Sequence, residues 1–154
     1  MNPRHYQTDL VEVCSRLNSH GAKYVLVGAG ALQLWGTTRA TRDIDILIEA
    51  TVENAKNVLA ALGEMGFGMA REWLAEEVAK KFVTVIGDIP RVDIFTLAWS
   101  VRYPEASAQA TVFQVEGVPI PTASIDHLIA SKRTGRLQDA ADIEVLEEIK
   151  RLRG

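Results

Sequence analysis

Leu10, Val13, Cys14 and Leu17 recur at helical spacing with Gly21 just beyond them, so the chain opens on a helix that Thr8 caps and that ends near His20. Tyr24-Val25-Leu26-Val27 has the length and β-branched content of a short strand, cut off by Gly28-Ala29-Gly30. A short helix is predicted over residues 31–35 and stops at Gly36. The polar turn Thr37-Thr38-Arg39-Ala40-Thr41-Arg42 then leads into the strand Asp43-Ile44-Asp45-Ile46-Leu47-Ile48. Thr51 caps the next helix, in which Ala55, Val58, Leu59 and Leu62 share a face, and the pattern breaks between Gly63 and Gly68.

Beyond that break, residues 70–81 read as one helix, and residues 82–86 and 91–96 as the arms of a hairpin turning at Gly87-Asp88-Ile89-Pro90. Residues 111–120 hold a further strand or two with Gly117 in a turn. Pro121 and Ser124 open a helix that runs through Lys132, and residues 138–152 form the last helix. No internal repeat, low-complexity segment or linker interrupts this order. Residues 1–154 therefore read as a single α/β (α+β) domain, a mixed sheet with helices packed on it.

Composition keeps this picture and narrows the function. With 47% hydrophobic and 24% charged residues, the 154-residue chain is average for a soluble domain, and a chain of that length builds a core without disulfides or a structural metal. The 17 Lys and Arg against 20 Asp and Glu give a net charge of −3. That sign disfavours a dedicated duplex binder, but leaves room for a nucleotide whose phosphates meet metal ions and a few local donors. No apolar run reaches the roughly 18 residues of a membrane span and the first ten residues lack the apolar stretch of a secretory signal, so a cytoplasmic protein with no membrane partner is expected. Cys14 is the single cysteine and sits on a core stripe; His5, His20 and His127 have no metal-ligand spacing.

Two acids separated by one residue are common at this composition, which yields about two to three such pairs by chance. The host element distinguishes them. In the last helix, Asp142 and Glu144 point about 200° apart, whereas a strand turns Asp43 and Asp45 to the same face, about 7 Å apart. Like charges so placed at the mouth of an apolar strand call for a positive partner, and Mg²⁺ is the hard cation that suits carboxylate and phosphate oxygens. Asp93, in Arg91-Val92-Asp93-Ile94-Phe95, is a third acid interrupting an apolar strand, and an inward carboxylate there needs a partner. Three carboxylates holding one or two divalent ions can align an NTP with an attacking hydroxyl. Each of the three, alone, reads equally as an exposed or capping acid.

The turn Gly28-Ala29-Gly30 admits a dinucleotide fingerprint only in part, because Gln33 stands where a third glycine belongs, and a Walker A loop fails for want of Gly-Lys-Ser/Thr. A strand, a glycine turn and a short helix whose amides face phosphate is the remaining pattern. Lys132 continues the apolar stripe of Ile125, Leu128 and Ile129, so it either snorkels outward or turns inward to a phosphate. Arg39 and Arg42 belong either to a solvated turn or to a cationic approach to the carboxylates, and Arg136 and Asp139 can pair at helical spacing.

Taken together, Val27-Gly28-Ala29-Gly30-Ala31-Leu32, then Gly36, Arg39, Thr41 and Asp43-Ile44-Asp45, resemble the motif of minimal nucleotidyltransferases of the polymerase-β-like superfamily, in particular AbiEii-type toxins. Residues 125–142, with Leu128, Lys132, Gly135-Arg136, Asp139 and Asp142, are similar to that family's C-terminal signature. The resemblance implies Asp43 and Asp45 as the metal-binding catalytic pair with Asp93 as third carboxylate, and one or two Mg²⁺ ions as cofactor. It further implies Gly28, Ala29 and Gly30 as the triphosphate turn, with Arg39, Thr41 and Lys132 as nucleotide contacts. The chain departs from the pattern at Ala29, where Gly-Gly or Gly-Ser is usual, and at Trp35, where His is common; it also lacks the extra helical region of the longer toxins.

The first function reading is thus Mg²⁺-dependent transfer of a nucleoside monophosphate from an NTP to a hydroxyl on RNA, protein or a small molecule, as the toxin of a toxin–antitoxin system with a cognate antitoxin or partner subunit. The second keeps the fold as a nucleotide- or partner-binding module, antitoxin or regulatory, with transfer weakened through Ala29. A third, a dinucleotide-binding domain built on residues 25–30, requires the strand after the glycine turn to run parallel to the one before it.

Overall fold

In the computed structural model of the chain, residues 3–38, 40–65, 70, 73–87 and 90–153 are described, with side chains from Tyr6 onward. The first helix, α1 (Pro3–Ser19), starts a turn earlier than Thr8. Tyr6 is buried and extends the stripe of Leu10, Val13, Cys14 and Leu17 by one turn, and a proline at the start costs no helical hydrogen bond. Cys14 is core, as its stripe predicts: burial pushes its thiol up to about 12. Beyond α1, Gly21 takes φ +66 and the Ala22 amide bonds back to the Leu17 carbonyl at 3.0 Å.

The strand β1 (Tyr24–Val27) passes directly into α2 (Gly28–Trp35), so the glycine turn is the first turn of the helix and not a loop ahead of it. At its far end Gly36, at φ 116, closes the helix with its amide on the Leu32 and Gln33 carbonyls. Next come β2 (Asp43–Ile48) and α3 (Val52–Gly63), capped by the Thr51 hydroxyl as expected. The long helix predicted over residues 70–81 shortens to α4 (Ala75–Lys80), whose buried residues are Ala75 and Val78. A hairpin of β3 (Val83–Ile86) and β4 (Arg91–Phe95) follows; of its turn, Asp88 and Ile89 lie outside the described residues.

The helix α5 (Tyr103–Gln109) leaves no periodic trace in the sequence because Ala106 is its one buried residue. Pro121, expected to open a helix, lies instead within β6 (Val118–Thr122), paired to β5 (Thr111–Val115) around Gly117. Alternate residues of a strand point their amides to the same side, and Ala123 donates to the Leu26 carbonyl of β1. Pro119 and Pro121 are on that side, where they remove ladder donors, and β6 meets β1 at the single register pair Leu26↔Thr122. Ser124 caps α6 (Ile125–Ser131), and α7 (Leu137–Arg153) ends the chain's described part.

Among the described residues the strands form one mixed sheet in the order β3-β4-β2-β1-β6-β5. β1 and β2 are antiparallel, while β2 and β4 are parallel. Antiparallel strands flanking the glycine turn cannot form a βαβ unit, so the dinucleotide-binding reading is overturned. One face of the central strands, from Tyr24 and Leu26 through Ile44, Ile46 and Ile48 to Val92 and Ile94, is fully apolar and buried. On that side Tyr24 donates its hydroxyl to Asn18 of α1, and Asn54 of α3 bonds the Lys23 and Glu49 backbones where β1 begins and β2 ends. The other face carries the polar residues. No helix among the described residues is long and apolar enough to cross a membrane.

Candidate active site

Residues opposite one another across a ladder share a face, so the register places Val27, Asp45, Asp93 and Val85 in one row across β1, β2, β4 and β3. Asp43 lies two residues up the same face, opposite Arg91. The three acids predicted from strand spacing are therefore assembled by the parallel β2/β4 pairing. Asp93 is buried, at 8% exposure, and Arg91 grips it through Nε at 2.8 Å and Nη2 at 3.4 Å. Asp45 is in the opposite condition. One of its carboxylate oxygens is buried with no hydrogen-bond partner among the described residues, and burial, followed by the charge of Asp93 and then Asp43, pushes its carboxyl up to about 7. Among the described residues no group of three Asp, Glu, His or Cys side chains has the closeness of a finished metal site.

Each glycine of the turn has a distinct steric reason. Gly28 has φ +69, and a side chain there would run into the Asp45 carboxylate. Gly30 is buried, and its missing Cβ leaves room for the Tyr6 hydroxyl, which donates to the Asp43 carbonyl at 3.4 Å. Ala29 is half-buried between them. Thr41 braces Asp43: its hydroxyl accepts from the Asp43 amide at 3.2 Å and lies 3.3 Å from the Asp43 carbonyl. Arg39 falls outside the described residues, and Arg42 is exposed.

A cleft of 160 Å³ opens beside Asp45 and Gly28. It is lined also by Lys132 and Arg136 of the turn between α6 and α7 and by Asp139 in the first turn of α7. Lys132 thus turns inward, its ammonium 3.4 Å from Asp142 and 3.7 Å from Asp139. Asp139 is almost fully buried and is the anchor: it accepts from the Thr134 hydroxyl at 2.6 Å and from Arg136 Nε at 2.8 Å, and these donors hold its carboxyl below the usual range. Trp35, by contrast, is a core tie, giving its indole N–H to the Ala123 carbonyl at 2.9 Å.

Sequence reasoning missed Arg91, Tyr6 and Trp99. Arg91 was legible in principle, since a strand puts residues two apart on one face and so sets a cation beside Asp93. Tyr6 reaches the site from α1 and Trp99 from the turn after β4, both distant from the acids in sequence, and neither carries a local signal.

No curated protein matches this chain. Among solved structures, the nucleotidyltransferase candidate TM1012 of Thermotoga maritima superposes with a TM-score of 0.58 at 17% identity, covering 99% of this chain and 93% of its own. An antigenic nucleotidyltransferase-like protein of Paracoccidioides brasiliensis gives 0.65 at 16% identity, over 99% of this chain and 78% of that one. These likenesses establish the fold. The family model for "Nucleotidyl transferase of unknown function (DUF2204)" matches residues 6–154. The chain belongs to this family of nucleotidyl transferases.

Proposed function

We propose that the protein catalyses Mg²⁺-dependent transfer of a nucleoside monophosphate from an NTP to a hydroxyl acceptor, releasing pyrophosphate. The observation that carries this reading is the placement of Asp45 beside Asp93 on parallel strands, against the turn where Gly28 starts α2. The residues fit a divalent cation: Asp45 has a buried oxygen without a donor among the described residues and a charge disfavoured by its two acidic neighbours, a deficit that positive charge relieves. Asp43, Asp45 and Asp93 are the residues to hold it. When bound, the ion supplies the charge that lets carboxylates and triphosphate approach and polarises the phosphoryl group under attack.

The protein's own groups do the rest. Gly28, Lys132 and Arg136 line one cleft and offer phosphate oxygens a helix N-terminus and two cations. Asp93 is oriented by Arg91 and takes the proton of the acceptor hydroxyl as its oxygen attacks the α-phosphorus. Thr41 and Tyr6 fix the backbone of Asp43 so that its carboxylate stays in register with this pair. The resemblance to AbiEii-type toxins supports an acceptor on RNA, protein or a small molecule, a cytoplasmic setting and a cognate antitoxin as partner.

The test is to incubate the protein with each α-labelled NTP, Mg²⁺ and total cellular RNA or protein. Label is expected to move to one macromolecular fraction and to stay in the nucleotide pool with Asp45→Asn or Asp93→Asn. If Asp43→Asn and Asp45→Asn leave Mg²⁺-dependent NTP binding unchanged by calorimetry, the metal site is elsewhere.

A further inference from the structure

Past the end of β4 the chain makes a tight two-residue turn: Ala98 and Val101 exchange both backbone hydrogen bonds, at 3.0 and 2.8 Å, with Trp99 and Ser100 between them. Trp99 has φ 48, in the left-handed region that the first position of such a turn leaves to glycine. Among the described residues Glu116 is the other non-glycine with positive φ, and it sits next to Gly117 in the β5–β6 hairpin. A large aromatic kept where glycine belongs is a strained choice, and strain of this kind concentrates at functional sites. The strained turn holds the half-buried indole in the lining of the carboxylate cleft, which Lys132 and Arg136 also line.

The surroundings of the ring are also unfinished. Among the described residues its indole N–H is buried without a partner, and so is Nδ1 of His127, whose ring lies 6.4 Å away at a tilt of 60°. A residue present for core cohesion alone would have its N–H satisfied, as Trp35 does. At 160 Å³ the cleft is below the roughly 300–1,000 Å³ of a site that encloses a whole ligand, so it receives part of a nucleotide, with the rest lying over its rim.

We infer that Trp99 is the nucleobase platform of the site: its indole face stacks on the base of the NTP while Lys132 and Arg136, which line the same cleft, take the phosphates. This rests on the nucleotidyl-transfer reading. Stacking on an aromatic face is tolerant of base identity, so the platform adds affinity for nucleotides over bare polyphosphate and discriminates weakly among the four bases.

The experiment compares binding of ATP, GTP, CTP, UTP and inorganic tripolyphosphate in Mg²⁺ buffer for the wild type, Trp99→Phe and Trp99→Gly. Wild type is expected to bind each NTP about tenfold or more tightly than tripolyphosphate. Trp99→Gly should abolish that preference and leave tripolyphosphate binding unchanged, the unchanged polyphosphate binding showing that the site stays folded while the lost packing of the ring lowers the melting temperature. Trp99→Phe should retain most of the preference. Equal preference in wild type and Trp99→Gly, or a parallel loss for both ligands, overturns the inference while leaving the transferase reading intact. Wild-type protein that binds neither NTP nor tripolyphosphate overturns both.

Discussion

Arg91 Nε lies 2.8 Å from the Asp93 carboxylate while Asp45, the residue directly opposite Asp93, has no paired cation among the described residues. Among the described residues one guanidinium therefore serves three acids, and the arrangement is short of positive charge. Replacing Arg91 with Ala deepens that shortage. The variant should melt at a lower temperature than wild type in chelator, and Mg²⁺ or Mn²⁺ should raise its melting temperature by more than it raises the wild type's. Differential scanning fluorimetry with and without metal reads both, and an unchanged metal response would sink the shared-site idea.

The elevated Asp45 carboxyl fixes the direction of a pH effect. An acid that titrates near 4 in the unfolded chain and near 7 in the fold favours folding most when protonated, so its contribution is fully present below about pH 4 and lost as pH rises through 7. Unfolding by urea should accordingly show stability falling between pH 5 and 8 beyond what other groups cause, and Asp45→Asn should flatten this slope. Divalent cations should bind more tightly above pH 7 and release a proton below it.

Gly30 and Tyr6 are complementary. A methyl group at position 30 meets the Tyr6 hydroxyl, while the ring carbon behind that oxygen is 3.6 Å away, an ordinary contact. Gly30→Ala should destabilise by about 1–3 kcal/mol as an overpacked core does. The double variant Gly30→Ala/Tyr6→Phe should recover most of the loss, because removing the oxygen clears the space and alanine is the better helix former. Chemical denaturation of the four proteins of this cycle is decisive: additive losses would mean that the two residues do not meet.

Asp139 gathers Thr134, Arg136 and Lys132. Asp139→Asn keeps the shape but removes the charge that aims two cations at the cleft. Its expected signature is NTP binding weakened several-fold with a steeper dependence on ionic strength, and a melting temperature lowered by a few degrees. Lys132→Ala should weaken binding likewise without the loss of melting temperature.

How much of this was readable beforehand differs by element. Strand β2 announced itself because its alternation of Asp with Ile is a period-two pattern that only a sheet accommodates, and the same pattern predicted which face Asp43 and Asp45 share. That Asp93 would lie beside Asp45 required the β2/β4 pairing, a long-range choice with no local trace. The glycine turn stands out in the sequence, yet its glycines answer to Asp45 and Tyr6, partners that sequence spacing does not reveal. Helix α5 leaves no reading in the sequence and Pro121 invites a wrong one, for opposite reasons: α5 buries too little to show a period, and a proline usually excluded from strands is tolerated where the ladder has almost no rungs.

That sparse ladder has a mechanical meaning. The carboxylates ride on β2 and β4, whereas Lys132 and Arg136 hang from the segment that leaves β6, so the anionic and cationic walls of the cleft belong to two stiff plates joined along the β1–β6 seam. Across this seam the main-chain pairing is a single residue pair, supplemented by side-chain clasps from Trp35 to the Ala123 carbonyl and from Asn18 to the Pro119 carbonyl. The gap between the walls is set by the part of the sheet with the fewest bonds to break, and the two prolines are what thinned it.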